Sequence, residues 1–156
     1  WSSDVCSSDL GVLMYEKYRI KQLSIFSENR PGRLAAMARA MMDEDVSIYA
    51  FSIAEGAGYG VIRALVDHPE RAFKKLSSLG VTVRYTDVLA VEMEDRPGGL
   101  YEAVSALAEA GINIEYSYAY SGKRCAVLIL RVEDPDAAAE RLLAKGARLL
   151  EISQFT

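Results

Sequence analysis

The fold is decided by two stretches, Asn29-Arg30-Pro31-Gly32-Arg33-Leu34 and Asp95-Arg96-Pro97-Gly98-Gly99-Leu100, that stand 66 positions apart in a chain of 156 residues. The same offset aligns further landmarks without a gap: Ile48 with Ile114, Pro69 with Pro135, and Gly80 with Gly146. Landmarks that keep one register over so long a span indicate an internal duplication. The chain therefore contains two copies of one structural unit.

Each copy is predicted to run strand, helix, strand, strand, helix, strand. The first strands are predicted at 19–27 and 86–94, and the Pro-Gly turns then open helices, because proline suits the first helical position. Hairpins follow, with the second strands at 46–55 and 112–121 and the third strands at 59–66 and 124–133. Gly56-Ala57-Gly58 and Gly122-Lys123 are predicted to form the hairpin turns. Second helices start at the paired prolines and end at Gly80 and Gly146, and last strands at 81–85 and 147–153 complete the units. This order is the ferredoxin-like βαββαβ arrangement, an α+β fold.

The second strand of such a sheet lies on an edge, since the usual order is 4-1-3-2. Neither predicted edge carries the lysines or prolines that normally protect one. We therefore expect the two edges, 46–54 and 112–120, to pair and to form one eight-stranded antiparallel sheet with helices on one face. The bare face would then expose Tyr49, Phe51 and Ile53, an apolar patch that predicts a homo-oligomer, in the simplest case a dimer.

The turn before each first helix has the parts of a small anion site. Glycine lets the backbone approach a ligand closely, and the start of a helix offers free N–H groups to a carboxylate. Asn29 or Asp95 could accept hydrogen bonds from an ammonium group. Ser47 and Asn113, at the starts of the second strands, are predicted to face the same neighbourhood. Together these groups suit an amino-acid zwitterion.

The paired Asx-Arg-Pro-Gly-x-Leu turns, followed in the second copy by Gly-Ile-Asn-Ile at 111–114, resemble the ACT domain, a regulatory module that binds amino acids. The resemblance covers about residues 19–155 and places one ACT domain at 14–85 and another at 86–156. It implies that the ligand lies at the interface of two ACT domains, between the turn of one and the second strand of the other. Ser47 departs from the asparagine often found at its position, and Asp95 departs from asparagine in the turn. The implied ligand-binding residues are Asn29, Pro31, Gly32, Arg33, Leu34, Ser47, Ile48, Asp95, Pro97, Gly98, Gly99, Leu100, Asn113 and Ile114.

The function that the resemblance implies is a sensor without catalytic activity. It would bind a free amino acid and act in trans on an enzyme of amino-acid metabolism. Two alternatives stay open: a structural subunit that binds nothing, and an enzyme like acylphosphatase that uses Arg33 in a phosphate cradle. Other residues are expected to have structural roles: Arg30 and Arg96 are exposed to solvent or pair with a neighbouring carboxylate, His68 occupies a helix cap, and Cys125 packs as a small apolar residue.

Composition excludes several other classes. The net charge of −4 and the pI near 5.1 disfavour nucleic acid as a partner. No apolar run is long enough to predict a membrane span. The two cysteines, Cys6 and Cys125, show no spacing for a metal site, and no cofactor is expected, so a reduced cytoplasmic setting is predicted. Residues 1–13 resemble the translation of a sequencing-adapter oligonucleotide and are predicted to be a non-native, disordered leader before Met14.

Overall fold

A computed structural model describes residues 14–121 and 125–155 of the chain. The predicted leader and the predicted hairpin turn at Gly122-Lys123 lie outside these residues. The described chain divides into two compact units. The first unit is Lys21–Thr86, and the second unit is Asp87–Thr156 together with the chain up to Ile20.

The first unit is an α+β sandwich of the predicted type. Its elements are β1 (Ile20–Glu28), α1 (Arg33–Asp43), β2 (Ile48–Gly56), β3 (Tyr59–Val66), α2 (Pro69–Ser78) and the beginning of β4 (Thr82–Met93). The strands follow the order β2-β3-β1-β4, which is the ferredoxin-like order expected from the sequence. Its core joins β1 and β3 to the buried faces of both helices through Leu23, Met37, Ile62 and Leu76.

The second unit repeats the plan. Its elements are the end of β4, α3 (Gly99–Glu109), β5 (Tyr116–Ser121), β6 (Ala126–Arg131), α4 (Pro135–Ala144) and β7 (Arg148–Leu149). The strand order is β5-β6-β4-β7. Its core contains Val91, Leu107, Leu128 and Leu142, with Tyr15 and Tyr18 from the segment before β1 packed against it.

The prediction of eight strands is wrong, because the described residues form seven. The segments predicted as separate strands at 81–85 and 86–94 are one continuous strand, β4. No glycine or proline interrupts residues 81–93, so nothing in the sequence turns the chain between them. One strand thus contributes its first residues to one unit and its last residues to the other.

The predicted pairing of the two edges is also wrong. Among the described residues, β2 pairs with β3 and β5 pairs with β6, and each is the outer strand of its own unit. β5 is also shorter than predicted, since residues 112–115 are not in a strand. β7 has only two residues. It is followed by a 3-10 helix, Ile152–Gln154, which has a capping box at its N-terminus.

The predicted placement of Phe51 and Ile53 on the bare sheet face is a third error. Phe51 lies opposite Ala64, and Ile53 lies opposite Ile62. Directly opposite residues share a face, and Ala64 and Ile62 belong to the core beneath the helices. The cause is a bulge between Ile48 and Ala50, because one extra residue moves every later side chain to the other face. Both side chains nevertheless stay about half exposed.

The segment before β1 is anchored in the second unit. The Arg19 guanidinium donates to both carboxylate oxygens of Asp136 on α4, with Nε 2.9 Å from Oδ1. This hydrogen bond is the main reason that the pKa of Arg19 is raised, and burial opposes it. Arg19 therefore remains charged and holds the segment on α4 by a forked ion pair.

Candidate functional site

The two Pro-Gly turns have the same backbone. Gly32 has φ 88° and Gly98 has φ 93°, left-handed values that glycine adopts without strain. Each glycine is the N-cap of the following helix, and neither helix has a side-chain cap hydrogen bond. The first N–H of each helix donates to a carbonyl of its own turn, Arg33 to Arg30 at 3.3 Å and Gly99 to Arg96 at 3.0 Å. The next N–H groups of the first turn have no side-chain cap and are available to an anion.

The arginines in the turns are held by carboxylates of this chain. Arg30 pairs with Glu28, and Arg33 Nη2 lies 3.6 Å from the same carboxylate. In the second turn Arg96 pairs with Glu94 and donates two hydrogen bonds of 2.8 and 2.9 Å to Glu102. The hydrogen bond to Glu94, and next the one to Glu102, raise the pKa of Arg96. The interpretation that Arg30 and Arg96 pair with neighbouring carboxylates is confirmed.

A cavity of about 100 Å³ opens beside the first turn. On one side it has the turn itself, and on the other it has the apolar side chains of β2 and β3 that face the helices. Asn29 is one of its polar lining residues, and the Asn29 Cβ lies close to Gly60. The lining residues are Ser27, Glu28, Asn29, Arg30, Gly32, Arg33, Leu34, Ile53, Gly60 and Ile62. An uncapped helix start, an amide and an apolar wall therefore meet in one place.

The second turn is closed more tightly. A Cβ built on Gly99 would overlap the carbonyl oxygen of Glu94, so no side chain fits where the first turn carries Arg33. Asp95 accepts a 3.4 Å hydrogen bond from the Ser121 hydroxyl at the end of β5. The wall also differs, because the 66-residue offset puts Ala119 and Leu128 where the first unit has Ile53 and Ile62.

The structure brings together only part of each predicted residue set. In the first unit Asn29, Gly32, Arg33 and Leu34 share the cavity, with Pro31 inside the same turn. Ser47 and Ile48 lie at the far end of the sheet, since Ile48 pairs with Val66 whereas the turn follows the pairing of Glu28 with Tyr59. The Ser47 N–H donates to the Asp67 carboxylate at 2.9 Å.

In the second unit the same separation holds. Asp95, Pro97, Gly98, Gly99 and Leu100 lie in or beside the turn, next to the end of β5 at Ser121. Asn113 and Ile114 precede the other end of that strand. The turn and the start of the second strand therefore lie at opposite ends of the sheet within one unit. The role of these residues stays a prediction.

Sequence reasoning missed the wall of the first cavity, which Ile53, Gly60 and Ile62 provide. Strict alternation along β2 assigns Ile53 to the opposite face, and only the bulge brings it to the cavity. The one signal in the sequence was Gly60, because a glycine inside a strand often marks the close approach of another group. Asn29 makes that approach.

The minor expectations have plain outcomes. His68 is the N-cap residue of α2, and Asp134 at the same position of α4 accepts from the N–H groups of Asp136 and Ala137. Cys125 is half-buried before β6. Within 14–121 and 125–155 no group of three or more potential metal ligands is found. None of the helices in those ranges is long and apolar enough to cross a membrane.

Tandem βαββαβ units with a glycine turn at the start of each first helix have the architecture of an ACT domain pair. A family model described as an ACT domain pair matches residues 18–154, and the chain belongs to the ACT domain family. No curated protein matches the chain.

Several solved structures are similar to it, among them the following three. Protein BT0572 from Bacteroides thetaiotaomicron is 33% identical over 88% of this chain and 96% of that one, with a TM-score of 0.83. The regulatory subunit of aspartate kinase from Thermus thermophilus, in its ligand-free form, is 16% identical over 82% and 93%, with a TM-score of 0.61. The corresponding subunit from Thermus flavus is 15% identical over 81% and 92%, with a TM-score of 0.56. The latter two share the fold.

Proposed function

We propose that this ACT domain pair is a regulatory protein that binds a free amino acid at its Pro-Gly turns. It acts in the cytoplasm on an enzyme of amino-acid metabolism carried by a separate chain. The observation that supports the proposal is the cavity beside the first turn, where an uncapped helix start, the Asn29 amide and an apolar wall meet. A second ACT domain supplies the remaining contacts, as in amino-acid-binding members of the family.

Each part of an amino acid has a matching group at this turn. The first-turn N–H groups of α1 suit the carboxylate, since they carry the positive end of the helix dipole. The Asn29 side-chain oxygen suits the ammonium group. Leu34, Ile53 and Ile62 offer an apolar surface for the side chain. The cavity of about 100 Å³ on this unit alone favours a small or medium side chain.

The arginines set the charge of the site. Glu28 lies between Arg30 and Arg33, so the turn carries one carboxylate against two guanidinium groups. This excess of one positive charge attracts a ligand carboxylate. In the second turn Glu94 and Glu102 both pair with Arg96, and Asp95 replaces the asparagine. Carboxylates therefore outnumber guanidinium groups at the second turn. We therefore expect the first turn to bind an amino acid more tightly than the second.

Calorimetric titration of the full chain with each of the twenty amino acids tests the proposal. We expect one amino acid or one chemical group of them to bind, and its amide and its N-acetyl derivative to bind more weakly, because each lacks one charged head group. Asn29→Ala should weaken binding by about tenfold, the effect of losing one hydrogen bond to a charged group.

Arg39→Ala is the matched control, since Arg39 lies on the same helix but pairs with Asp43. It should leave the dissociation constant unchanged. If no amino acid binds to protein that is folded by circular dichroism, the proposal fails and a purely structural subunit remains.

A further inference from the structure

The outer strand of the first unit, β2, leaves an apolar surface open beside its edge. Among the described residues β2 pairs with β3 alone, so no strand lies along its other edge. Phe51 and Ile53 are on the helix side of the sheet, yet they stay 50% and 46% exposed. Leu34 at the start of α1 is 37% exposed and lines a cavity together with Ile53. These three side chains are called the β2 flank.

The second unit has no such flank on its outer strand. The 66-residue offset places Ser117 and Ala119 at the positions of Phe51 and Ile53. Ser117 and Ala119 lie opposite core residues of β6, so they occupy the equivalent face of the second unit, and both are exposed. The fold is therefore complete with small side chains at these positions, and the large apolar ones of β2 are specific to the first unit.

The sequence of β2 is complementary to itself. Its central stretch, Ala50–Ala54, reads Ala-Phe-Ser-Ile-Ala and carries no charged residue and no proline that would protect an edge. Ser52 is the middle residue of the strand. When two such strands pair antiparallel about Ser52, Phe51 of each copy lies opposite Ile53 of the other, and Ala50 lies opposite Ala54. The two Phe-Ile pairs share the helix side and form one apolar cluster, and no like charges meet.

The exposed area of the β2 flank fits an interface between two copies. Side chains of this size, exposed to this degree, leave on the order of 300 Å² of apolar surface on one copy, which is the size at which a patch marks an interaction site. Pairing of the two strands adds the backbone of β2 and its small side chains to the buried area. An uncharged patch offers a strongly charged partner nothing to pair with, whereas it matches a second copy of itself.

We propose that β2 is the interface of a symmetric dimer with a second copy of this chain, in which the two β2 strands pair antiparallel about Ser52. The pairing gives the N–H and C=O groups of both open edges hydrogen-bond partners and buries the β2 flank of both copies. A two-fold contact requires one patch that matches itself, and β2 has this property. The interface forms without a bound amino acid and is therefore independent of the proposed function.

Sedimentation velocity of the full chain over an about hundredfold range of concentration, without added amino acid, tests the proposal. We expect the wild type to change from monomer to dimer as the concentration rises. Ile53→Lys should raise the dissociation constant of the dimer at least about tenfold, because each copy then brings a lysine into the apolar cluster. Ala119→Lys is the matched control, since it makes the same change at the equivalent exposed position of the second unit, and it should leave the dissociation constant unchanged.

If Ile53→Lys is not folded by circular dichroism, Phe51→Ser combined with Ile53→Ala takes its place, because it copies the residues of the second unit. A wild type that is monomeric at every concentration overturns the proposal. So does a dimer that survives both β2 variants, or one that Ala119→Lys weakens as much as Ile53→Lys does. No amino acid is present in these measurements, so failure here is distinguishable from failure of the proposed function.

Discussion

The two units of this chain share one order of helices and strands and differ in the side chains at equivalent positions. In the first unit, Met37 on the first helix is buried in the core, and the open turn before that helix carries Arg33. The second unit has Ala103 at the position of Met37, and Gly99 brings the start of the helix against Glu94. The turn glycines and helix-starting prolines are the same in both. The comparison shows that the elements which form the fold were kept while the side chains around the first helix changed.

The largest expected effect comes from making the first core resemble the second. Met37→Ala removes a side chain that is 4% exposed and should destabilise the protein by about 2–5 kcal/mol, the usual cost of a large-to-small change in a core. Urea unfolding followed by circular dichroism measures this as a lower midpoint. Met42→Ala on the same helix is the control, because Met42 is 63% exposed and its loss should change stability by less than about 0.5 kcal/mol. Equal midpoints for the two variants would contradict a solid first core.

A smaller loss is expected from making the second turn resemble the first. Gly99→Ala forces a Cβ against the Glu94 carbonyl oxygen, so the start of α3 must move away from the strand. The expected cost is about 1–3 kcal/mol, as for other overpacked sites. Arg33→Ala, the same position in the first unit, should be nearly neutral because a side chain already stands there. A Gly99→Ala protein that is as stable as the wild type would show that the two turns do not differ in this contact.

Much of the fold could be predicted because the turn chemistry is local. Proline holds the first helical position only in α2 and α4, whereas α1 and α3 begin two residues after Pro31 and Pro97, behind a glycine with positive φ. A Pro-Gly pair nevertheless marks a helix start almost regardless of what surrounds it. The repeated turns therefore located the first helices, and Pro69, Pro135, Gly80 and Gly146 bounded the second ones. The strand order within each unit then followed from the βαββαβ sequence of elements.

The errors have a different origin, because they depend on contacts between distant residues. Nothing in the sequence near Ile48 marks the bulge, yet the bulge decides which face of the sheet Ile53 occupies. A prediction from strict alternation therefore misses the wall of the first cavity that Ile53 helps to form. β4 is continuous because residues 81–93 contain no glycine or proline that would turn the chain. The absence of a turn gives no positive signal in a sequence. The 66-residue offset places Ala103 where the first copy has Met37, but a smaller side chain predicts a hollow only when its neighbours are known not to fill it.

The smallest expected effect concerns pH and compares one position in the two copies. The 66-residue offset relates Arg19 to Tyr85 and Asp136 to Glu70. A guanidinium group therefore lies near a carboxylate in one pair, and a phenol lies near a carboxylate in the other. Tyr85 stacks on Phe73 with ring centroids 4.7 Å apart, and burial, followed by the charge of Glu70, raises the pKa of Tyr85. A raised pKa in the folded state means that the unfolded chain releases its proton first. The stability from Tyr85 is therefore complete below the ordinary tyrosine pKa of about 10 and is lost as the pH rises above it.

Tyr85→Phe should remove this loss, so the urea midpoint of the variant should fall less steeply than that of the wild type above about pH 10. Tyr101→Phe is the control for the number of tyrosines, since Tyr101 is 73% exposed, and it should keep the steeper wild-type slope. Arg19 contributes no such loss, because its ion pair with Asp136 keeps the guanidinium charged throughout this range. Parallel slopes for the wild type and Tyr85→Phe would mean that the phenol near Glu70 does not distinguish the alkaline response of the first unit from that of the second.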